Sequence, residues 1–328
     1  MKARLLRGAG ALALVCGAFA AWAAPGGATP PPRLLATYQP VTQFHPAESF
    51  LPTSVQSFIS DADLEQFVGG AWTLVDAAPE PGELPSSGAW RLNQDTCSPA
   101  LELGGLACYG AASDEGSGGL AVYGRVAPDG DRIVLQYWYF YYDDVYSYPF
   151  APAGSFWQAH EGDWEVVNVV LSEDEQPLSV GYSQHCLGQR RDWSETPRFE
   201  GTHPIVYVAL GSHANYFTPG LHQFNLACVP AQVLAFLGGF HLPPPADVVS
   251  ADGAVAGPPE ADGRVTTIHQ IEDGHPEWVS FPGFWGELQY FHAPPPIGTV
   301  PFGTAPQGPA FHDVWIHPLA TLASWPAG

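Results

Sequence analysis

The chain is 328 residues long, enough for one large or two small domains. It carries 33 acidic against 11 basic residues, a formal net charge of −22. Nucleic acid demands a basic footprint, so this balance argues strongly against it as a partner, and it disfavours docking on anionic lipid through charge alone. A bound cation, or a neutral partner such as a glycan, fits better.

In chain order, Lys2, Arg4 and Arg7 precede an apolar run from Ala9 to Ala20, which ends at Ala21-Trp22-Ala23, an A-x-A site. Residues 1–23 are therefore expected to be a secretory signal, and the protein to be secreted or periplasmic. The run is too short for a membrane-spanning helix. After it the basic residues are eight arginines, leaving a net charge of about −25. Residues 24–32, rich in Pro and Gly, read as a flexible linker, and 33–328 as a single elaborated domain.

Leu34 to Tyr38 is a short apolar run that reads as a strand. The proline-framed segment Pro40 to Pro52, with His45 and Glu48, cannot be a regular helix. Residues 54–59 and 61–67 read as one or two short helices capped at Ser60 or Asp61. Residues 70–118 read as a long loop-rich insertion. Strands are predicted at 120–126 and 132–142, joined by a turn containing Asp129-Gly130. The second holds Tyr137-Trp138-Tyr139-Phe140-Tyr141-Tyr142, a density that fits burial on both faces or an aromatic wall. A loop is expected from Asp143 to Ala159, then strands at 166–171, 178–185 and 205–210. Residues 231–263 read as a second loop-rich insertion. Short strands between Gly/Pro turns predict a mainly β protein, an antiparallel β-sandwich with long loop insertions and a few short helices.

Cys97, Cys108, Cys186 and Cys228 remain after the signal, and four cysteines in an exported chain suggest two disulfides. Three pairings are open. Cys97–Cys108, closing a short loop, and Cys186–Cys228, tying the segments around the central strands, are favoured.

The chemistry concentrates in His160-Glu161-Gly162-Asp163-Trp164-Glu165. Alternation places Asp163 and Glu165 on one face of a strand with Val167 and Val169, and Trp164 and Val166 on the other. Two like charges so close repel unless a cation or a proton lies between them. His160, folding back, completes a site suited to Mg, Ca or Mn, or to Zn. His213, after Gly211-Ser212 at the end of a strand, is a candidate fourth ligand or orienting residue. Asp143 and Asp144 follow the aromatic strand; adjacent residues oppose, so at most one aims at the site. Tyr141, Trp164, Ser212, Tyr216, His45 and Glu48 are candidate lining residues. Two alternatives to a binding site stay open: a hydrolase in which the cation activates water and His213 or Glu165 moves the proton, and a closed structural site. A glycosidase-like carboxylate pair fits the same residues, whereas no Gly-x-Ser-x-Gly marks a serine hydrolase.

Four ordered motifs, Tyr38-x-Pro40-Val41-x-x-Phe44-His45-Pro46-x-Glu48-x-Phe50-Leu51-Pro52-x-Ser54-Val55, His160 to Glu165, Pro204 to Tyr216 and Phe284-Trp285-Gly286-Glu287, resemble the vacuolar protein sorting-associated protein 62 family. That resemblance implies a fold and no biochemistry. More distantly, the spacing of His160, Asp163 and Glu165 resembles that of the necrosis- and ethylene-inducing peptide 1-like secreted proteins. It implies a β-sandwich whose acidic pocket holds a divalent cation, recognises a glycolipid head group and acts at a membrane surface. That family has a further aspartate eight residues before the histidine, where this chain has Pro152, and Glu161-Gly162 replaces Arg-His.

Overall fold

In the computed structural model the described residues are 33–94, 119–150, 154–229, 231–239, 241, 244–293 and 298–328. The signal 1–23, the linker 24–32, Pro152 and the pair Cys97 and Cys108 lie outside them. The strands in chain order are β1 (Val41–Gln43), β2 (Asp63–Val68), β3 (Ala71–Asp76), β4 (Trp90–Asn93), β5 (Leu120–Asp129), β6 (Arg132–Phe150), β7 (Gly154–Ser172), β8 (Pro177–Gln184), β9 (Leu187–Asp192) and β10 (Arg198–Phe199). They continue as β11 (His203–Val208), β12 (Asn215–Tyr216), β13 (Gly220–Gln223), β14 (Ala246–Val249), β15 (Val255–Gly257), β16 (Arg264–Gln270), β17 (Phe284–Trp285), β18 (Leu288–Ala293) and β19 (Gly298–Thr304).

One large sheet runs in the order β10-β11-β1-β15-β16-β5-β6-β7-β18-β19, with β12 on β11 and with β8 and β9 extending from β7. A smaller sheet, β17-β4-β2-β3, covers part of it, and β13 pairs with β14. Most pairs are antiparallel; β1–β11, β15–β16, β16–β5 and β17–β4 are parallel.

The aromatic strand β6 is buried on both faces. Trp138, Phe140 and Tyr142 point into one core with Phe58, Trp164, Val166, Trp278, Trp285 and Trp315. Leu135, Tyr137, Tyr139 and Tyr141 point into the other with Val167, Val169 and Tyr182, and with Val206, Val208 and Ala256. The last three belong to β11 and β15, far from β6 in strand order. The sheet therefore folds over on itself, and this second core fills the sandwich. Buried tyrosines bond across it: Tyr137 Oη donates to the Leu35 carbonyl at 2.9 Å and Tyr182 Oη to that of Ile205 at 3.0 Å. These two rings bury their area without stranding their hydroxyls, whereas the Tyr141 hydroxyl is buried with no hydrogen-bond partner among the described residues.

Several local readings need correction. Residues Arg33–Thr37 form one helical turn rather than a strand; the Tyr38 amide donates to the Leu34 carbonyl at 3.1 Å and Leu35 is wholly buried. A five-residue apolar run has too few positions to separate the two periods. Val55–Ser60 is a helix whose N-cap is Ser54, its Oγ accepting from the Gln56 amide at 3.2 Å, while Asp61 stands at the C-cap rather than starting a second helix. Residues 61–67 are mostly β2, pairing with β3 and β4. The span 70–118 therefore contributes two strands of the smaller sheet, and 231–263 holds the helix Ala231–Gly239 and the strands β14 and β15. The expected loop from Asp143 to Ala159 is largely strand, because β6 and β7 continue as 19-residue partners, with Asp144 opposite His160 and Phe150 opposite Gly154. Cys186 and Cys228 are disulfide-bonded, with Cα atoms 5.3 Å apart.

Candidate metal centre

The site forms where β6 and β7 change sidedness. Tyr141 pairs with Asp163, Asp143 with Glu161 and Asp144 with His160. Strict alternation would put His160 and Asp163 on opposite faces. Gly162 breaks it. It sits at φ +56°, and a Cβ there would lie 2.3 Å from the Trp285 carbonyl oxygen, so both the backbone turn and the close approach of Trp285 require glycine. The strand flips by one residue. His160 arrives on the Asp163 face from within the strand, not from a loop, while Glu161 turns to the opposite face, where its Oε2 accepts from the Gln94 amide at 3.0 Å.

Asp144, His160 and Asp163 each offer a ligand atom, and these atoms lie within 4.8 Å of one another. His160 Nδ1 bonds the Gly162 carbonyl at 2.9 Å and so carries its proton. That tautomer leaves Nε2 for a ligand or proton, 3.4 Å from Asp144 Oδ2. Asp144 Oδ1 is buried with no hydrogen-bond partner among the described residues. An unsatisfied carboxylate oxygen beside an imidazole held in the ligating tautomer suits a cation. Burial lowers the His160 pKa, but Asp144 and then Asp163 outweigh it and push it up to about 9. Burial raises that of Asp144.

His213 is wholly buried and stands beside this trio. Its Nδ1 bonds Asp163 Oδ2 at 3.0 Å, and its Nε2 lies 3.6 Å from Glu48 Oε1. Its ring stacks on Tyr141 at 3.9 Å between centroids, 2° from parallel. It thus orients Asp163 and spends one of its nitrogens doing so. The loop bearing His213 reaches β6 because Gly211, at φ +77°, passes where a Cβ would lie 2.0 Å from the Val145 carbonyl oxygen. Glu48 holds this loop: Oε2 accepts from the Gly211 amide at 2.7 Å, and Oε1 from Ser49 and Phe50 at 2.8 and 2.9 Å. Burial raises the Glu48 pKa, but His213 and the backbone donors bring it below the ordinary value.

Glu165 shares the Asp163 face as read from the alternation, yet its carboxylate is taken up by Ser183 Oγ and, at 3.5 Å, by Asn215 Nδ2. Burial and then Asp163 push its pKa well up. It borders the trio rather than joining it. Asp143 faces Glu161 on the other side, and burial with that neighbour raises its pKa strongly. Of the aspartate pair, then, Asp144 is the one that aims at the site. Trp164 turns into the opposite core and does not line the site. His45 accepts from the Ala47 amide at 3.1 Å and only shapes its own turn.

Ser212 and Tyr216 both serve a residue that the sequence reading missed. Asp247, wholly buried on β14, accepts from Ser212 Oγ at 2.5 Å, from Tyr216 Oη at 2.6 Å and from His185 Nε2 at 2.9 Å. Its only sequence signal was one acidic residue among apolar ones in a short β-compatible run, Ala246-Asp247-Val248-Val249.

No described helix is long and apolar enough to cross a membrane. No family model matches the chain, and neither does any curated protein. Among solved structures it is similar to Necrosis and Ethylene inducing Protein 2 from the causal agent of cocoa's Witches Broom disease, at 19% identity and a TM-score of 0.30, over 57% of this chain and 68% of that one. It is similar to NLPPya in complex with mannosamine at 14% identity and a TM-score of 0.31, over 60% and 74%. It is similar to the non-toxic HaNLP3 protein at 14% identity and a TM-score of 0.34, over 75% and 78%. At these scores no residue role passes from those proteins to this chain.

Proposed function

We propose that this is a divalent-cation-dependent binding protein of the cell exterior. In this reading Asp144, His160 and Asp163 hold the ion, and its remaining positions take hydroxyl groups of a glycan or a glycolipid head group. The convergence of three ligand atoms within 4.8 Å carries the reading. Two carboxylates and one imidazole suit Mg, Mn or Ca, with Zn also accommodated, and three protein donors leave a six-coordinate ion half open. His213 and Glu48 act behind Asp163 by fixing its orientation. The four motifs that resemble the vacuolar protein sorting-associated protein 62 family support grouping this chain with that family.

The test is metal content by mass spectrometry on purified protein beside Asp163→Asn and Asp144→Asn, followed by a glycan array read with and without EDTA. Near-stoichiometric metal lost in both variants, with EDTA-sensitive glycan signals, is expected. No metal, together with no thermal shift on adding Mg, Ca, Mn or Zn, overturns the proposal.

A further inference from the structure

On the far side of Asp247 lies a second polar recess that the cation site does not use. A cavity of about 220 Å³ is lined chiefly by Gln184, His185, Gln189, Tyr216, Gln223 and Asn225. Two strand ends form its walls, the turn between β8 and β9 and the segment after β13. The Cys186–Cys228 disulfide clasps these walls together. The turn is a two-residue link, with Gln184 opposite Leu187, and its first residue, His185, is held at φ +51°. That conformation normally falls to glycine in such hairpins. A β-carbon-bearing residue persists there because its side chain is fixed elsewhere. His185 Nε2 reaches Asp247 and its ring packs on Phe224, with centroids 3.9 Å apart.

The lining has a definite chemistry. Among the described residues no Asp, Glu, Lys or Arg lines the cavity. Asp247, which bonds the lining residues His185 and Tyr216, is wholly buried and already accepts three hydrogen bonds. A charged ligand would find no counter-ion, and the −22 charge of the chain repels anions. What remains is amide capacity. Gln184 spends Nε2 on the Asn215 carbonyl at 2.7 Å and keeps its Oε1. Asn225 spends Oδ1 on the Ala227 amide at 3.0 Å and keeps its Nδ2 donors. Gln189 and Gln223 add two further amides to the lining. Amides both donate and accept, which is what a ring of hydroxyl groups requires. The volume is below the roughly 300 Å³ at which drug-sized sites begin, so it suits one sugar ring rather than a chain.

We infer that this cavity is a separate binding site for a single neutral pyranose unit, held by the amides of Gln184, Gln189, Gln223 and Asn225 and needing no cation. It stands independently of the cation site.

Saturation-transfer NMR tests it on the full protein with and without EDTA, with glucose, galactose, mannose and N-acetylglucosamine as probes. Transfer to at least one sugar is expected. It should survive in Asp163→Asn with Kd within twofold, and weaken at least tenfold in Gln223→Ala/Asn225→Asp. The Asn225→Asp change keeps the backbone cap on the Ala227 amide, and Gln223 is exposed, so the fold is retained, as a melting curve checks. Transfer to none of the four sugars overturns the inference, and so does an unchanged Kd in the double variant. Transfer that EDTA and Asp163→Asn abolish, while the double variant keeps it, assigns the sugar to the cation site; that outcome overturns this inference and leaves the proposed function standing.

Discussion

Gly162→Ala is the sharpest perturbation of the site, and Gly130→Ala is its control. Both glycines sit in left-handed backbone, at φ +56° and +58°. Alanine there costs about 1–2 kcal/mol in either place. The surroundings differ. A Cβ on Gly130 meets nothing within 4 Å, whereas one on Gly162 meets the Trp285 carbonyl oxygen at 2.3 Å and Trp285 Cβ at 3.1 Å. Trp285 cannot retreat easily: it is wholly buried, and its ring packs on Phe140 and Trp164 with centroids 5.2 Å away in each case. Forcing extra volume into such a core adds about 1–3 kcal/mol. The totals are about 2–5 kcal/mol against about 1–2. At roughly 2–4 °C per kcal/mol, Gly162→Ala should melt roughly 4–20 °C lower and Gly130→Ala roughly 2–8 °C lower. Differential scanning calorimetry reads the shifts, and metal analysis of the same samples should show that Gly162→Ala alone has lost its ion. If the two variants melt alike and both keep metal, the flip at Gly162 is not what assembles the site.

Three further outcomes follow from the geometry. His213→Ala leaves Glu48 and Asp163 as buried carboxylates without their shared partner, so urea melts should show a loss of about 3–5 kcal/mol; a loss below about 1 kcal/mol refutes the bridging role. The folded-state pKa of Glu48 lies below its ordinary value of 4.5, so its contribution is present above that pH and disappears as pH falls through the folded value. Glu48→Gln should therefore flatten the acid limb of a stability–pH curve measured from pH 7 down to pH 2, and an unchanged limb would contradict the assignment. The Cys186–Cys228 bridge closes a loop with a sequence separation of 42, for which chain entropy gives about 4 kcal/mol. The double alanine variant should lose a comparable amount in urea melts, and a loss under about 1 kcal/mol would mean that the loop ends are held by other contacts.

Much of the fold could be read in the residues. The aromatic run Tyr137 to Tyr142 alternates between two apolar faces, and only a strand with a core on each side satisfies both. The Asp163, Val167 and Val169 face was equally legible, because period two holds without interruption from Asp163 onward. What lay hidden depends on contacts distant in sequence. His160 joins Asp163 only because Gly162 reverses the alternation, and the reason for that glycine is the Trp285 backbone, more than a hundred residues away. Asp247 reads as an ordinary surface aspartate until Ser212, Tyr216 and His185 are folded around it. The short helix at Arg33 and the strand at Asp63 are not legible in the residues, because five or six positions span too little of either period to tell them apart.

The three candidate ligands also differ from their supports in how they come together. Asp144, His160 and Asp163 are neighbours across one hairpin, so the pairing of β6 with β7 is enough to bring their ligand atoms together. His213 and Glu48 arrive from distant segments, which must close much larger loops to reach Asp163. An ion would thus be caught by a hairpin and clamped by the finished sandwich. If the site holds an ion, the register of two strands would govern its capture, and the loop closures that bring His213 and Glu48 to Asp163 would govern its retention.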